Sequence, residues 1–285
     1  MNLSRKDAKP LTAALLLIGL VYIYPLFLGR VLIDNPALVD VSFNVIPFVS
    51  WVAEAYRQGQ FPLWNPHIFC GMPHLAYTHS ASLYPVTIFL YSLFPYLYAG
   101  SIYIMFHSLL AAFLFYLILR DLEILPTLCG CASVVFVISG WVFGTLYWSW
   151  AIGSLNGLLL MWLSFRSLAK KAKLSALALG ALGTAWAGIA GETELLTYAV
   201  LGLLLMAFFG FGLGFRGWPK RIFLILLSIS LASLIMAAIM IPAMENLQFS
   251  VRGPFFPYKL KFVSLTNFYF LILPSWFLPL SSVKK

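Results

Sequence analysis

Residues Asp40–Pro73 read DVSFNVIPFVSWVAEAYRQGQFPLWNPHIFCGMP. The stretch is polar, aromatic-rich and punctuated by proline, inside an otherwise very apolar chain. It begins about a dozen residues after the first hydrophobic run of membrane length, Leu11–Leu28. An acid, a Trp-Asn-Pro turn and two Gly/Pro breakers at such a place point to a site built at a membrane surface. If this stretch lies outside the bilayer, the apolar runs around it must carry the fold.

Composition agrees. Of 285 residues, 62% are hydrophobic, 17% aromatic and 9% charged, with a mean hydropathy of +0.93. A soluble domain carries roughly 25% charged residues. Too few polar groups remain to cover a water-facing surface, so the class is an all-α polytopic membrane protein. The net charge of +9 comes from basic residues in short runs beside apolar segments. That pattern orients a membrane protein and argues against nucleic acid as a partner. The three cysteines, Cys70, Cys129 and Cys131, match no redox or zinc spacing and imply no disulfide framework. Leu11–Leu28 follows Arg5, Lys6 and Lys9 as in a signal peptide, but lacks a small-x-small cleavage site, so an uncleaved signal anchor is expected.

Working outward, seven apolar runs approach the ~20 residues a span requires. They are 11–28, 98–119, 128–147, 148–165, 174–190, 195–213 and 222–243, with a tight hairpin expected at Tyr147–Trp148. Leu83–Leu97 is also apolar, but it is short and carries Pro85 and Pro95, so it reads as interfacial or re-entrant. Charge arbitrates. With the N-terminus inside, the inner loops 1–10, 120–127, 166–173 and 214–221 hold most of the 18 basic residues. A span at 83–97 would instead turn the Lys170–Lys173 and Lys220–Arg221 clusters outward. The expected plan is one membrane domain over 1–285, with a structured outer loop at 30–97 and an outer tail at 244–285. Asp7, Asp121 and Glu123 then lie inside, while Asp34, Asp40, Glu54, Glu192, Glu194 and Glu245 gather at the outer face.

Several of these residues could carry chemistry. Asp40 suits a general base that deprotonates an acceptor hydroxyl, and it equally suits the N-cap of an interfacial helix beginning VSFNVIPF. Trp64 and Asn65 are candidates for substrate contact or for the turn itself. His67, His74 and His79 have no compact ligand spacing and no paired carboxylate, so no metal or other cofactor is expected. His107, inside a span, reads as a satisfied intramembrane polar group. Glu192 and Glu194 interrupt an apolar hairpin, AGIAGETELLTYAV, where solvated acids have least reason to be. Arg252, in SVRGP, offers a planar fork of donors to a phosphate, or an anchor to lipid headgroups.

Asp40, Pro47, Glu54, Gly59, Pro62, the Leu63-Trp64-Asn65-Pro66 run, Phe69, Gly71-x-Pro73 and Tyr84-Pro85 resemble the first outer loop of YfhO-type bacterial membrane proteins. His107 with Ala111 and Tyr116, Ala190-Gly191-x-x-Glu194, and Pro242-x-x-Glu245 through Ser250-Val251-Arg252 continue the likeness in order. The resemblance covers about residues 12 to 280. Where the family has Gly-His-Pro-Glu/Gln at the hairpin, this chain has Gly191-Glu192-Thr193-Glu194. The resemblance implies a GT-C-like glycosyltransferase of the bacterial cytoplasmic membrane. It would take a sugar from a polyprenyl-phosphate carrier to a cell-envelope glycopolymer or lipid. It implies Asp40 as the base; beside it, the chemistry of the residues themselves offers Arg252 to the lipid phosphate, and Glu192 and Glu194 to sugar hydroxyls or the acceptor. Family members are longer, so the chain would be the N-terminal part of such an enzyme, or an inactive fragment that needs a partner chain to supply further spans. The competing expectation is a non-enzymatic transporter or lipid-handling protein, which would place ionisable groups or broken helices near the bilayer midplane.

Overall fold

The structure is a computed structural model of the chain, and residues 4–28, 46–145, 149–170, 173–208 and 217–247 are described. Two compact units divide at Ala243/Met244; of the second, only the last turn of the final helix is described. The helices in chain order are α1 (Arg5–Phe27), α2 (Ile46–Arg57), α3 (Pro85–Leu93), α4 (Tyr96–Asp121), α5 (Pro126–Ile138), α6 (Gly140–Thr145), α7 (Ser149–Lys170), α8 (Leu174–Ile189), α9 (Thr193–Phe208) and α10 (Trp218–Leu247). The strands β1 (Trp64–Asn65) and β2 (Met72–Pro73) form one short antiparallel ladder.

Four of these helices are long and apolar enough to cross a membrane: Arg5–Leu26, Tyr98–Asp121, Trp150–Lys170 and Trp218–Asn246. Three apolar helices are shorter, over Pro126–Val142, Leu174–Ile189 and Thr193–Phe208. The molecule is thus an all-α membrane protein with four helices of spanning length among the described residues, against the seven spans expected. The run 128–147 is not one uninterrupted helix, because α5 ends at Ile138 and α6 begins at Gly140. The expected hairpin at Tyr147–Trp148 falls outside the described residues. Leu83–Leu97 contains the nine-residue α3 and the first two residues of α4. At 1.5 Å per residue α3 rises ~14 Å, less than half the ~30 Å hydrocarbon core.

Small residues set the close packing. On α7, a Cβ at Gly157 would lie 2.4 Å from the backbone nitrogen of Ala187. On α8, a Cβ at Gly183 would lie 3.0 Å from the backbone nitrogen of Met161. The two backbones therefore touch along one stripe, the usual device where lipid supplies no hydrophobic drive between helices. Gly130 of α5 likewise receives the carbonyl oxygen of Pro10 of α1, 2.9 Å from a hypothetical Cβ.

Helix α1 begins earlier than the apolar run. Ser4 and Asp7 form a reciprocal capping box, with Ser4 N–H and Oγ donating to Asp7 Oδ2 at 2.8 and 2.7 Å. Asp7 is buried, and its other oxygen accepts Arg120 Nε at 2.5 Å and the Tyr116 hydroxyl at 2.9 Å. Asp121 pairs with Arg166 and, at 2.5 Å, with Lys170. These contacts gather the N-terminus of α1 and the C-termini of α4 and α7 at one end of the bundle. Helix α7, with 22 residues, runs ~33 Å from there to the opposite end.

Candidate functional site

The opposite end is built by the loop that follows the first span. Helix α2 is amphipathic: Phe48, Val49, Val52, Ala53 and Ala55 are buried, while Glu54 and Arg57 face out. Gly59, with φ of +67°, lets the chain leave the helix in a left-handed turn. The Tyr56 hydroxyl donates to the Ser82 carbonyl at 2.7 Å, which fixes α2 to the end of the loop.

The WNPHIFCGMP segment closes as a tight hairpin. Trp64 faces Pro73 and Asn65 faces Met72. Asn65 is fully buried; its Oδ1 accepts the His67 N–H at 2.9 Å, and its amide lies 3.5 Å from His74 Nδ1. Gly71, at φ of +110°, has no Cβ because the Trp64 indole occupies that space, 2.6 Å from where one would sit. Both residues hold the turn.

From there an unbroken line of aromatic contacts runs into the bundle. Phe48 stacks on His74 at 5.6 Å and on Tyr77 at 4.2 Å between ring centroids. Tyr77 meets His79 at 5.5 Å, and His79 meets Trp150 at 5.1 Å. The Trp150 indole N–H donates to the Glu192 carboxylate at 3.0 Å. Glu192 N–H donates to Ser154 Oγ at 3.1 Å, and Ser154 Oγ donates to the Ala187 carbonyl at 2.7 Å. The turn between α8 and α9 sits directly on the outer loop: a Cβ at Gly191, whose φ is +116°, would lie 3.1 Å from the Thr78 carbonyl oxygen.

A cleft of about 570 Å³ opens here, lined by His79, Trp141, Ala151, Glu192, Glu194, Leu195 and Tyr198. It places two carboxylates among three aromatic rings. Ionised carboxylates only accept hydrogen bonds, and ring faces receive apolar surface. The chemistry suits a polar, donor-rich ligand with one apolar face.

Glu192 and Glu194, paired candidates in the sequence, both line this cleft. Trp64 and Asn65 do not line it. Asp40 and Arg252 lie outside the described residues. The three loop histidines part company: His67 meets the Trp51 ring edge-on at 5.1 Å, His74 is buried beside Asn65, and His79 lines the cleft. Burial pushes the His74 imidazole down to about 4. His79, Trp141 and Tyr198 were not foreseen as cleft residues. Their signal in sequence is weak, because interfacial aromatics are common and these three come from separate elements.

Deeper in the bundle, His107 and Asn156 are buried together. Asn156 Nδ2 lies 2.7 Å from His107 Nδ1 and donates to the His107 carbonyl at 3.0 Å. That donor leaves the ring proton on Nε2, which faces the Tyr84 hydroxyl at 3.3 Å. The intramembrane histidine is a satisfied polar group, as its place in an apolar run suggests.

No family model matches the chain, and no curated protein or solved structure matches it either.

Proposed function

We propose that this protein is a seven-span membrane glycosyltransferase of GT-C-like type, or the N-terminal portion of one, with its N-terminus cytoplasmic. It would carry a sugar from a polyprenyl-phosphate carrier to a cell-envelope acceptor at the outer face. The cleft between His79, Trp141, Glu192, Glu194 and Tyr198 is the observation that carries this reading. A pyranose presents hydroxyl donors around its rim and C–H groups on its face, and carboxylates beside aromatic rings answer both. Among the described residues no arginine or lysine lines the cleft, and Arg252 is the group proposed for the lipid phosphate. The likeness to YfhO-type proteins, and the basic loops at the ion-paired end, support the same orientation.

Asp40 is the proposed base. It precedes α2 by six positions, which tethers it within ~20 Å of that helix. Phe48 of α2 stacks on Tyr77, which touches the cleft residue His79. In this mechanism Asp40 takes the proton of the acceptor hydroxyl. The oxygen attacks the anomeric carbon as the bond to the lipid phosphate breaks, giving inversion. Glu192 and Glu194 orient sugar hydroxyls, and Arg252 meets the charge developing on the phosphate.

A transporter is the second reading, and the buried His107–Asn156 pair favours it. One measurement separates the two. Asp40→Asn preserves size and capping ability but removes the base. Sugar transfer from a polyprenyl-phosphate donor by the full-length protein should fall at least ~100-fold while membrane insertion is unchanged. Wild-type transfer by this variant would remove Asp40 as the base. Absence of transfer by the unaltered protein, together with sugar uptake into vesicles that His107→Ala abolishes, would establish the transporter.

A further inference from the structure

A second concavity lies far from the cleft, along the seam between α1 and α5. It encloses about 570 Å³ and is apolar from end to end, with one charged residue, Lys9. Its floor is the contact of Pro10 with Gly130, where the two backbones come closest. Lys9 and Thr127 stand at one end and Leu17 and Val135 at the other. Between Lys9 and Leu17 the groove follows α1 for ~12 Å, roughly the inner half of a bilayer leaflet pair.

The charge at the mouth is available. Asp7, two residues before it in α1, is committed to Arg120, Tyr116 and Ser4. Lys9 takes part in none of the three ion pairs among the described residues, and it is exposed. Arg5 and Lys6 are exposed on the same turn of helix and add to the positive field. A smaller groove of about 390 Å³ between α4, α7 and α9 makes the contrast: its lining, from Phe115 to Met206, holds no charged residue.

We infer that the α1–α5 groove is a binding site for an anionic glycerophospholipid from the leaflet at the ion-paired end. One acyl chain would lie along Pro10, Ala13, Leu17 and Val134, and the headgroup phosphate would meet the Lys9 ammonium. The lysine stem can follow the groove wall while its head stays at the interface. A zwitterionic lipid could fill the same groove, but its own cation offsets the attraction, so selectivity resides in Lys9.

The test uses the full chain purified in a neutral detergent. Equal amounts of phosphatidylglycerol and phosphatidylcholine with matched 16-carbon chains are added, and retained lipid is counted by native mass spectrometry. Phosphatidylglycerol should be retained preferentially. Lys9→Gln should reduce the preference about fivefold, the equivalent of the ~1 kcal/mol a basic residue contributes at an anionic surface. Lys220→Gln, which changes a basic residue outside the groove, should leave it unchanged. Ala13→Trp fills the groove at an exposed position and should lower retention of both lipids. Equal retention of the two lipids by the unaltered protein would overturn the inference. So would an undiminished preference in Lys9→Gln, an exposed position where folding is not at stake.

Discussion

The two ends of this bundle treat charge in opposite ways. At the end that gathers the N-terminus of α1 with the C-termini of α4 and α7, the acids that are not exposed have cations: Asp7 has Arg120, and Asp121 has Arg166 and Lys170, while the exposed Glu123 enters none of the described ion pairs. At the other end, Glu192 is held by an indole N–H and Glu194 stands exposed at the cleft. The ion-paired end spends its charges on holding three helices in place. The cleft end keeps Glu192 and Glu194 outside the ion pairs of the described residues. Charge removal should therefore damage the first end structurally and the second end functionally.

The largest effect is expected at Asp7. Asp7→Ala removes the capping box and leaves Arg120 without its buried partner. Breaking a buried pair from one side costs about 3–5 kcal/mol, and loss of the cap about 1 kcal/mol more. Denaturant unfolding in detergent micelles should show a loss in that range. A change below 1 kcal/mol would mean that water, not Asp7, satisfies Arg120, and the contrast between the ends would lose its structural half.

The next effect is a pH dependence confined to the cleft end. His74 is fully buried and titrates at about 4 in the folded loop, against ~6.5 unfolded. Between those values the unfolded loop binds the extra proton. The contribution of His74 to the stability of the loop is therefore complete above ~6.5, falls as pH drops, and is lost by ~4. At about 1.4 kcal/mol per unit the total reaches ~3 kcal/mol. Amide hydrogen exchange over α2 and residues 63–80 should speed up on acidification across this window. His74→Phe, which keeps a ring against Phe48, should abolish the acceleration. Acceleration that persists in His74→Phe would assign the pH response to another group.

Much of the ion-paired end was legible in the sequence, and little of the cleft end was. Apolar runs of span length announce α1, α4, α7 and α10, because a bilayer imposes length and hydrophobicity together. The prolines at 85 and 95 were enough to demote α3. The capping box of Ser4 and Asp7 is a local pattern that the apolar run starting at Leu11 concealed. The cleft is different in kind. His79, Trp141, Trp150, Glu192 and Tyr198 come from the loop, α6, α7, the α8–α9 turn and α9, and only packing unites them. The glycines at 157, 183 and 191 permit that packing, yet as letters they do not say which backbone approaches. The break after Ile138 within an apolar run left no periodic mark either.

A smaller effect on stability and a larger one on binding are expected at Glu192. Glu192→Gln retains an oxygen to accept from Trp150 and should cost less than ~1 kcal/mol in unfolding. Sugar affinity should nevertheless fall at least ~10-fold, because a charge-assisted hydrogen bond is replaced by a neutral one. Isothermal titration with the lipid-linked sugar measures the second quantity. Loss of folding with retained binding would reverse the roles given to the two ends.

The smallest effect belongs to Lys170, and it calibrates the rest. Its side chain is 37% exposed where it meets Asp121, whereas Arg166, which contacts the same carboxylate, is 11% exposed. An exposed ion pair contributes about 0.2–1 kcal/mol and is screened by salt. Lys170→Gln should therefore cost at most ~0.5 kcal/mol at low salt, and nothing measurable near 1 M salt. Arg166→Gln should cost more and retain most of its effect in salt, since its contact is drier and Asp121 loses its better-buried partner. Measuring both variants at two salt concentrations separates screened from unscreened charge at the same carboxylate. Equal, salt-sensitive losses for the two would show that water reaches the whole cluster. The ion-paired end would then be a solvated interface, and its contrast with the cleft would rest on ligand chemistry alone.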